Sequence, residues 1–204
     1  MEAIVKPLAK LFVVVMSLLT LLCVPAVQAE DKTGTVNNYE KYTSDGNFFA
    51  AMVPSGWEKD EDITLGRSAK EYGVILIGPR GSQGTPAMIS VLYYGDGKIP
   101  HDSLKSADVF ITRNSRPHRL PLLPDEEYSN IGEIALAGRK ARTFTSKTYV
   151  TAFQSKKILI SKKFVVLPAT VGFYLLQYEA PPDLAKKHES VFDQVINSFN
   201  PHVP

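Results

Sequence analysis

The chain has 204 residues, a formal net charge of +2, and 44% hydrophobic, 22% charged and 10% aromatic side chains. That composition excludes a disordered, collagen-like or coiled-coil protein, and the near-neutral charge gives no global reason to expect a nucleic-acid partner. A chain of this size buries roughly 70% of its unfolded surface and can fold without disulfides or metals.

The N-terminus reads as an export signal. Lys6 and Lys10 precede an apolar run from Leu11 to Val24, followed by Pro25 and the small-residue end Val27-Gln28-Ala29. A charged segment, an apolar segment and an A-x-A-like end predict cleavage after Ala29. The run is shorter than the roughly 20 residues a spanning helix needs, so no transmembrane segment is expected after cleavage. The alternative is an uncleaved N-terminal anchor. Cys23, the single cysteine, lies in the apolar run behind Leu22, whereas a lipidated cysteine follows a small residue. The exported chain, periplasmic or secreted, then carries no thiol, which excludes disulfides, cysteine nucleophiles and thiolate metal sites.

Residues 30–46 are polar and read as a flexible lead-in, leaving 47–204 as a single domain. Strand signals follow in short runs of β-branched and aromatic residues bounded by Gly and Pro: Phe48–Val53, Tyr72–Ile77 and Ala87–Tyr94. Trp57 follows the Pro54-Ser55-Gly56 turn and is expected to fold back into the core. Gly81-Ser82-Gln83-Gly84 sits between two strands and reads as a hairpin loop rather than a phosphate cradle. A helix is expected next, capped by Asp102 or Ser103 and carrying Leu104, Ala107, Phe110 and Ile111 on one stripe. Ser115–Tyr128 holds Pro117, Pro121 and Pro124, which remove backbone donors and fix φ, so it reads as an exposed loop. Strands resume over Ile131–Ala137, Arg139 to about Ala152, Ile158–Leu167 and Val171–Glu179. A last helix is capped by Asp183 behind Pro181-Pro182 and stopped by Asn200-Pro201, with Leu184, Val191, Val195 and Phe199 as its apolar stripe. These elements predict one α+β domain with a mainly antiparallel sheet.

Catalytic patterns are sparse. His101, Asp102 and Ser103 are consecutive, and neighbouring side chains diverge too far to form a triad. No G-x-S-x-G elbow occurs. The histidines, at 101, 118, 188 and 202, lack ligand spacing, and His188 reads as a satisfied histidine at the boundary of the core. Glu58, Asp60, Glu61 and Asp62 lack the spacing of a calcium loop and read as a solvated segment. No metal and no cofactor are expected.

Charge partition stands out instead. No acidic residue lies between Glu133 and Glu179, where Arg139, Lys140, Arg142, Lys147, Lys156, Lys157, Lys162 and Lys163 all fall. Residues 30–62 are acidic on balance. Lys140 and Arg142 share a strand face by the period of two, and Lys162-Lys163 puts charge on both faces. Together with Arg116 and Arg119 of the proline-rich segment, Arg139, Lys140, Arg142, Lys156, Lys157, Lys162 and Lys163 form the candidate contact surface. Such a field steers an acidic protein partner or an anionic membrane surface. The competing reading makes these lysines guards of exposed or edge strands against aggregation. Base-stacking aromatics are not interleaved among them, which argues against nucleic acid.

Four motifs, in this order, carry a family resemblance: Phe49-Ala50-Ala51-Met52-Val53-Pro54-Ser55-Gly56-Trp57, Ala137-Gly138-Arg139-Lys140-Ala141, Gly172-Phe173-Tyr174-Leu175-Leu176 and Val191–Phe199. The chain resembles the PsbP/Mog1-like superfamily, which includes the PsbP extrinsic proteins of photosystem II, the nuclear transport factor Mog1 and exported bacterial DcrB-like proteins. The resemblance implies an α/β/α sandwich and a binding or assembly role rather than catalysis. Three functions follow as expectations. The first is an exported accessory module that docks an envelope or extracytoplasmic complex. The second is a small-ligand or lipid carrier with a pocket lined by Phe173, Leu175 and Phe192. The third is a hydrolase built on converging histidines. The partner, the ligand and the oligomeric state are not specified by the sequence.

Overall fold

A computed structural model describes residues 38–95, 106–151 and 157–204. The expected export signal, Asp102, Ser103, Leu104 and Lys156 lie outside the described residues. The elements in chain order are β1 (Tyr39–Thr43), β2 (Phe49–Pro54), β3 (Glu58–Asp60), α1 (Ile63–Ala69), β4 (Glu71–Arg80), β5 (Pro86–Tyr94) and α2 (Ala107–Asn114). They continue with β6 (Glu127–Tyr128), β7 (Gly132–Leu136), β8 (Arg139–Thr151), β9 (Lys157–Pro168), β10 (Phe173–Ala180), α3 (Pro182–Ala185), α4 (Glu189–Ser198) and β11 (Asn200–Pro201).

A large sheet runs in the order β3-β4-β5-β10-β9-β8-β6, and β7 shares the outer edge of β8 with β6. A second sheet pairs β1, β2 and β11. Every pairing is antiparallel. The β7–β8 hairpin closes through Ala137-Gly138 with Leu136 opposite Arg139, and both turn residues have positive φ (48° and 74°). That is the two-residue turn whose twist matches the strands, and Gly138 supplies one of its left-handed positions without strain.

Strand alternation creates two cores. On β10, Tyr174, Leu176 and Tyr178 face one side with Val165 and Leu167 of β9, while Phe173 and Leu175 face the other with Phe164 and Val166. The first side is covered by α4, through Val191, Phe192 and Val195, by Phe199 just beyond it, and by Phe49 and Val53 of the small sheet. The second is covered by α2, through Ala107, Phe110 and Ile111. Helix, sheet and helix make the three layers that the resemblance implies. Trp57 is buried at 7% exposure, as expected. Its indole lies so close to Gly78 that a Cβ there would stand 2.7 Å from the ring, so β4 needs glycine at that point. Phe199 seals the end of α4 against Phe49 and Tyr174.

Several expectations are corrected. The stretch read as a flexible lead-in contains β1, which pairs with β2 along Tyr39↔Pro54 to Thr43↔Ala50; the run Tyr39-Glu40-Lys41-Tyr42-Thr43 buries only Tyr42 and forms an edge strand that a polar average conceals. Residues 58–60 and 63–69 form β3 and α1 rather than an unstructured acidic segment. The cap of α2 is Ser106, whose Oγ accepts from Val109 N at 3.2 Å. The last helix is two pieces. Pro181 occupies the cap of α3, and Asp183 inside it instead accepts from Ser82 N at 2.8 Å, pinning the expected 81–84 hairpin loop. The break falls at His188, whose backbone leaves the helical region while its ring turns inward onto Trp57. Asn200-Pro201 ends α4 by joining β2 as β11.

Candidate functional site

The outer part of the large sheet brings β6, β8, β9 and the loop of residues 115–126 together. This loop follows α2, and one carboxylate organises it. Glu126 accepts from Leu123 N at 2.9 Å and Tyr149 N at 3.3 Å, and Arg119 Nη2 donates to both of its oxygens at 2.9 and 3.0 Å. The Glu126 side chain is only 5% exposed. The Leu123 amide, with Tyr149 N and Arg119 assisting, holds its carboxyl below the ordinary glutamate range against the opposing effect of desolvation. With its backbone tied this way, the loop turns Leu120 outward at 81% exposure and Leu122 at 39%. Arg116 is exposed beside them and makes no ion pair among the described residues.

The basic strands are arranged differently. Lys140 and Arg142 share one face, as the period of two requires, and both approach Glu133 on β7, at 3.9 and 3.6 Å. Lys147 faces Glu127 at 4.0 Å, and Lys162 contacts Glu179 on β10 at 2.7 Å. Lys163 points to the opposite face, between Glu189 and Asp193 of α4 at 3.0 and 3.1 Å. Burial alone would lower the Lys163 pKa, but its hydrogen bonds to those two carboxylates outweigh it and hold the pKa above the ordinary lysine value. Arg139 donates to the carbonyls of Pro168 and Val203, fastening the C-terminal segment. Lys157 is exposed and makes no ion pair among the described residues.

The acidic residues absent from 134–178 therefore arrive from the flanks and from α4. Tertiary pairing offsets most of the open positive field that the linear sequence suggests. The edge-guard reading also falls. β9 lies between β10 and β8, and β8 is covered by β9 on one side and by β6 and β7 on the other. Sequence reasoning misses the organising role of Glu126, the middle residue of the acidic run Asp125-Glu126-Glu127 that closes the proline-rich segment.

The carrier pocket expected from Phe173, Leu175 and Phe192 does not form. Phe173 and Leu175 fill the α2-side core and Phe192 the α4-side core, with the sheet between them. The converging histidines of a hydrolase are likewise not brought together among the described residues. His118 lies in the proline-rich loop, His188 packs against Trp57 at a 5.8 Å centroid distance, and His202 Nδ1 lies 2.8 Å from the Asn47 carbonyl. His188 is also not satisfied: it is 3% exposed and its Nδ1 has no hydrogen-bond partner. Among the described residues no group of His, Cys, Asp and Glu is arranged to hold a metal, and no helix is long and apolar enough to cross a membrane.

No protein-family model matches the chain, and no curated protein does. Among solved structures it is similar to LpqN of Mycobacterium tuberculosis, described as involved in cell envelope biogenesis. That similarity has 16% identity and a TM-score of 0.45 over 82% of this chain and 91% of that one. It is also similar to the cyanobacterial PsbP of Synechocystis sp. PCC 6803, at 15% identity and a TM-score of 0.44 over 80% of this chain and 92% of that one. The fold described above rests on strand order, register and the two cores.

Proposed function

We propose that this chain is an exported accessory module that acts by binding rather than catalysis, docking an extracytoplasmic protein through its proline-rich loop. The observation that carries this reading is the contrast within residues 115–126. A nearly buried Glu126 fixes the backbone while Leu120 stands 81% exposed at the tip. A large apolar side chain held in water by an ordered backbone has prepaid part of the ordering entropy of association, and such anchors carry a large share of binding energy. Arg116 within the loop and Lys157 at the start of β9 favour an acidic protein surface, while the paired lysines of β8 and β9 contribute less to attraction than their number suggests. An anionic membrane surface fits less well, because most of the clustered charge it would meet is already matched.

The test is in-cell cross-linking of the tagged, exported protein at low and moderate salt, with wild type beside Leu120→Asp. The reading predicts one partner recovered in stoichiometric amount, lost in Leu120→Asp by roughly tenfold and only modestly weakened by salt. Equal recovery by both proteins would remove the loop from the interface.

A further inference from the structure

A cavity of about 210 Å³ lies beneath the proline-rich loop on the α2 side of the sheet. Strand parity determines which side chains face it. Tyr128 stands opposite Ser146, and Ser146 and Thr148 share a face of β8 with Lys162 and Phe164 of β9, the face that packs under α2. Asn114, Pro117, His118 and Arg119 close it from above. Tyr149 has the opposite parity, and its backbone N–H is the atom committed to Glu126.

Two features of this cavity point to a ligand. First, the polar side chains of Tyr128, Ser146 and Thr148, buried or half-buried, line it with no hydrogen-bond partner among the described residues, and the exposed His118 stands at its rim. Polar groups from three separate segments converging on one cavity without mutual bonds are what a hydrogen-bonding guest requires. Secondly, its two cations are already matched: Arg119 is held by Glu126 and Lys162 by Glu179 at 2.7 Å. A free anion would find no uncompensated charge there, whereas hydroxyl groups would find both donors and acceptors. Tyr128, Pro117 and His118 are also among its lining residues, and rings of this kind can pack against the C–H face of a ring with a polar rim. The volume is below the roughly 300–1,000 Å³ of drug-sized sites, so the guest is small and a lipid chain is excluded.

We propose that this cavity binds a single uncharged sugar ring. The proposal is independent of the docking reading, since it concerns the underside of the loop and not Leu120. The test is an amide-resolved NMR titration of the isotope-labelled exported protein with glucose, galactose and N-acetylglucosamine, with phosphate and citrate as comparison solutes. At least one sugar is expected to give saturable, millimolar shifts confined to residues 114–119, 128 and 146–148. Thr148→Val and Tyr128→Phe, whose spectra elsewhere stay unchanged, are expected to weaken that binding by about fivefold or more, the value of one lost hydrogen bond. No saturable shift with any of the three sugars would overturn the proposal. Binding unaltered in both variants, or shifts at these amides with the anions alone, would overturn it equally.

Discussion

The loop of residues 115–126 and the neighbouring strands β8 and β9 handle charge in opposite ways. The loop concentrates its polar bonding on one nearly buried carboxylate, with two backbone amides and an arginine converging on Glu126. The strands spread theirs over six ion pairs along the sheet and α4. Removing one nearly buried carboxylate leaves several donors unpaired at once, so the bonds of Leu123, Tyr149 and Arg119 are lost together. Pairs that are exposed or half-exposed are each worth little, and loss of one leaves those that share no residue with it intact. Paired charges also present weak dipoles rather than monopoles, and salt screens what remains. A rigid surface bearing an apolar tip thus sits beside a charged surface that is largely self-satisfied.

Removing Glu126 is expected to have the largest effect. Glu126→Ala frees the Leu123 and Tyr149 amides, and their hydrogen exchange is expected to accelerate by roughly tenfold or more while β10 amides stay protected. Unchanged exchange at both amides would dissolve the contrast between the regions. The same anchor has a pH signature. Because the folded pKa of Glu126 is depressed, its contribution is fully present above the unfolded carboxyl pKa and is lost as pH falls through the lower folded value. Loop protection should therefore persist at neutral and mildly acidic pH and fail below the ordinary glutamate range.

On the strands the expected effects are smaller. Lys163→Ala, which leaves Glu189 and Asp193 without their shared partner, is expected to cost about 0.5–1 kcal/mol in denaturant unfolding. Lys157→Glu is expected to leave stability unchanged and to lower partner capture slightly. A large loss of capture from Lys157→Glu, equal to that from Leu120→Asp, would restore the open-field view of the basic strands.

The smallest expected effect lies at His188, at the start of α4. Desolvation, with Lys187 adding to it, holds the ring pKa below the ordinary histidine value. Stability from this residue is complete above the unfolded histidine pKa and declines as pH falls through it toward the folded value. His188→Leu removes an unpartnered buried nitrogen, so it is expected to be near neutral at pH 7 and to flatten the decline in melting temperature between about pH 6.5 and 5. An unchanged slope would place that pH dependence elsewhere.

Much of the architecture is legible in short-range pattern. The Gly- and Pro-bounded β runs mark seven of the strands, and the Leu184–Phe199 stripe marks the two helical pieces that cover the core. Trp57 and Phe199 lie inside, where their sequence context puts them. What the pattern conceals depends on long-range pairing. β1 is visible only as a partner of β2, and Asp183 is read as a cap when its true partner is Ser82, 101 residues away. The contact surface was the least legible part. Eight cations without an intervening acid form a field in one dimension, and Glu127, Glu133, Glu179, Glu189 and Asp193 offset most of it only once the sheet is folded. Glu126 shows only part of its role locally, through Leu123 and Arg119, and the remaining donor, Tyr149 N, is delivered from β8.

The most direct test places a photo-reactive amino acid at position 120 in one version of the protein and at position 140 in another, followed by cross-linking in cells. The docking account predicts a discrete, abundant adduct from position 120 and little from position 140. An adduct of equal or greater yield from position 140 would contradict it and return the interface to the basic strands.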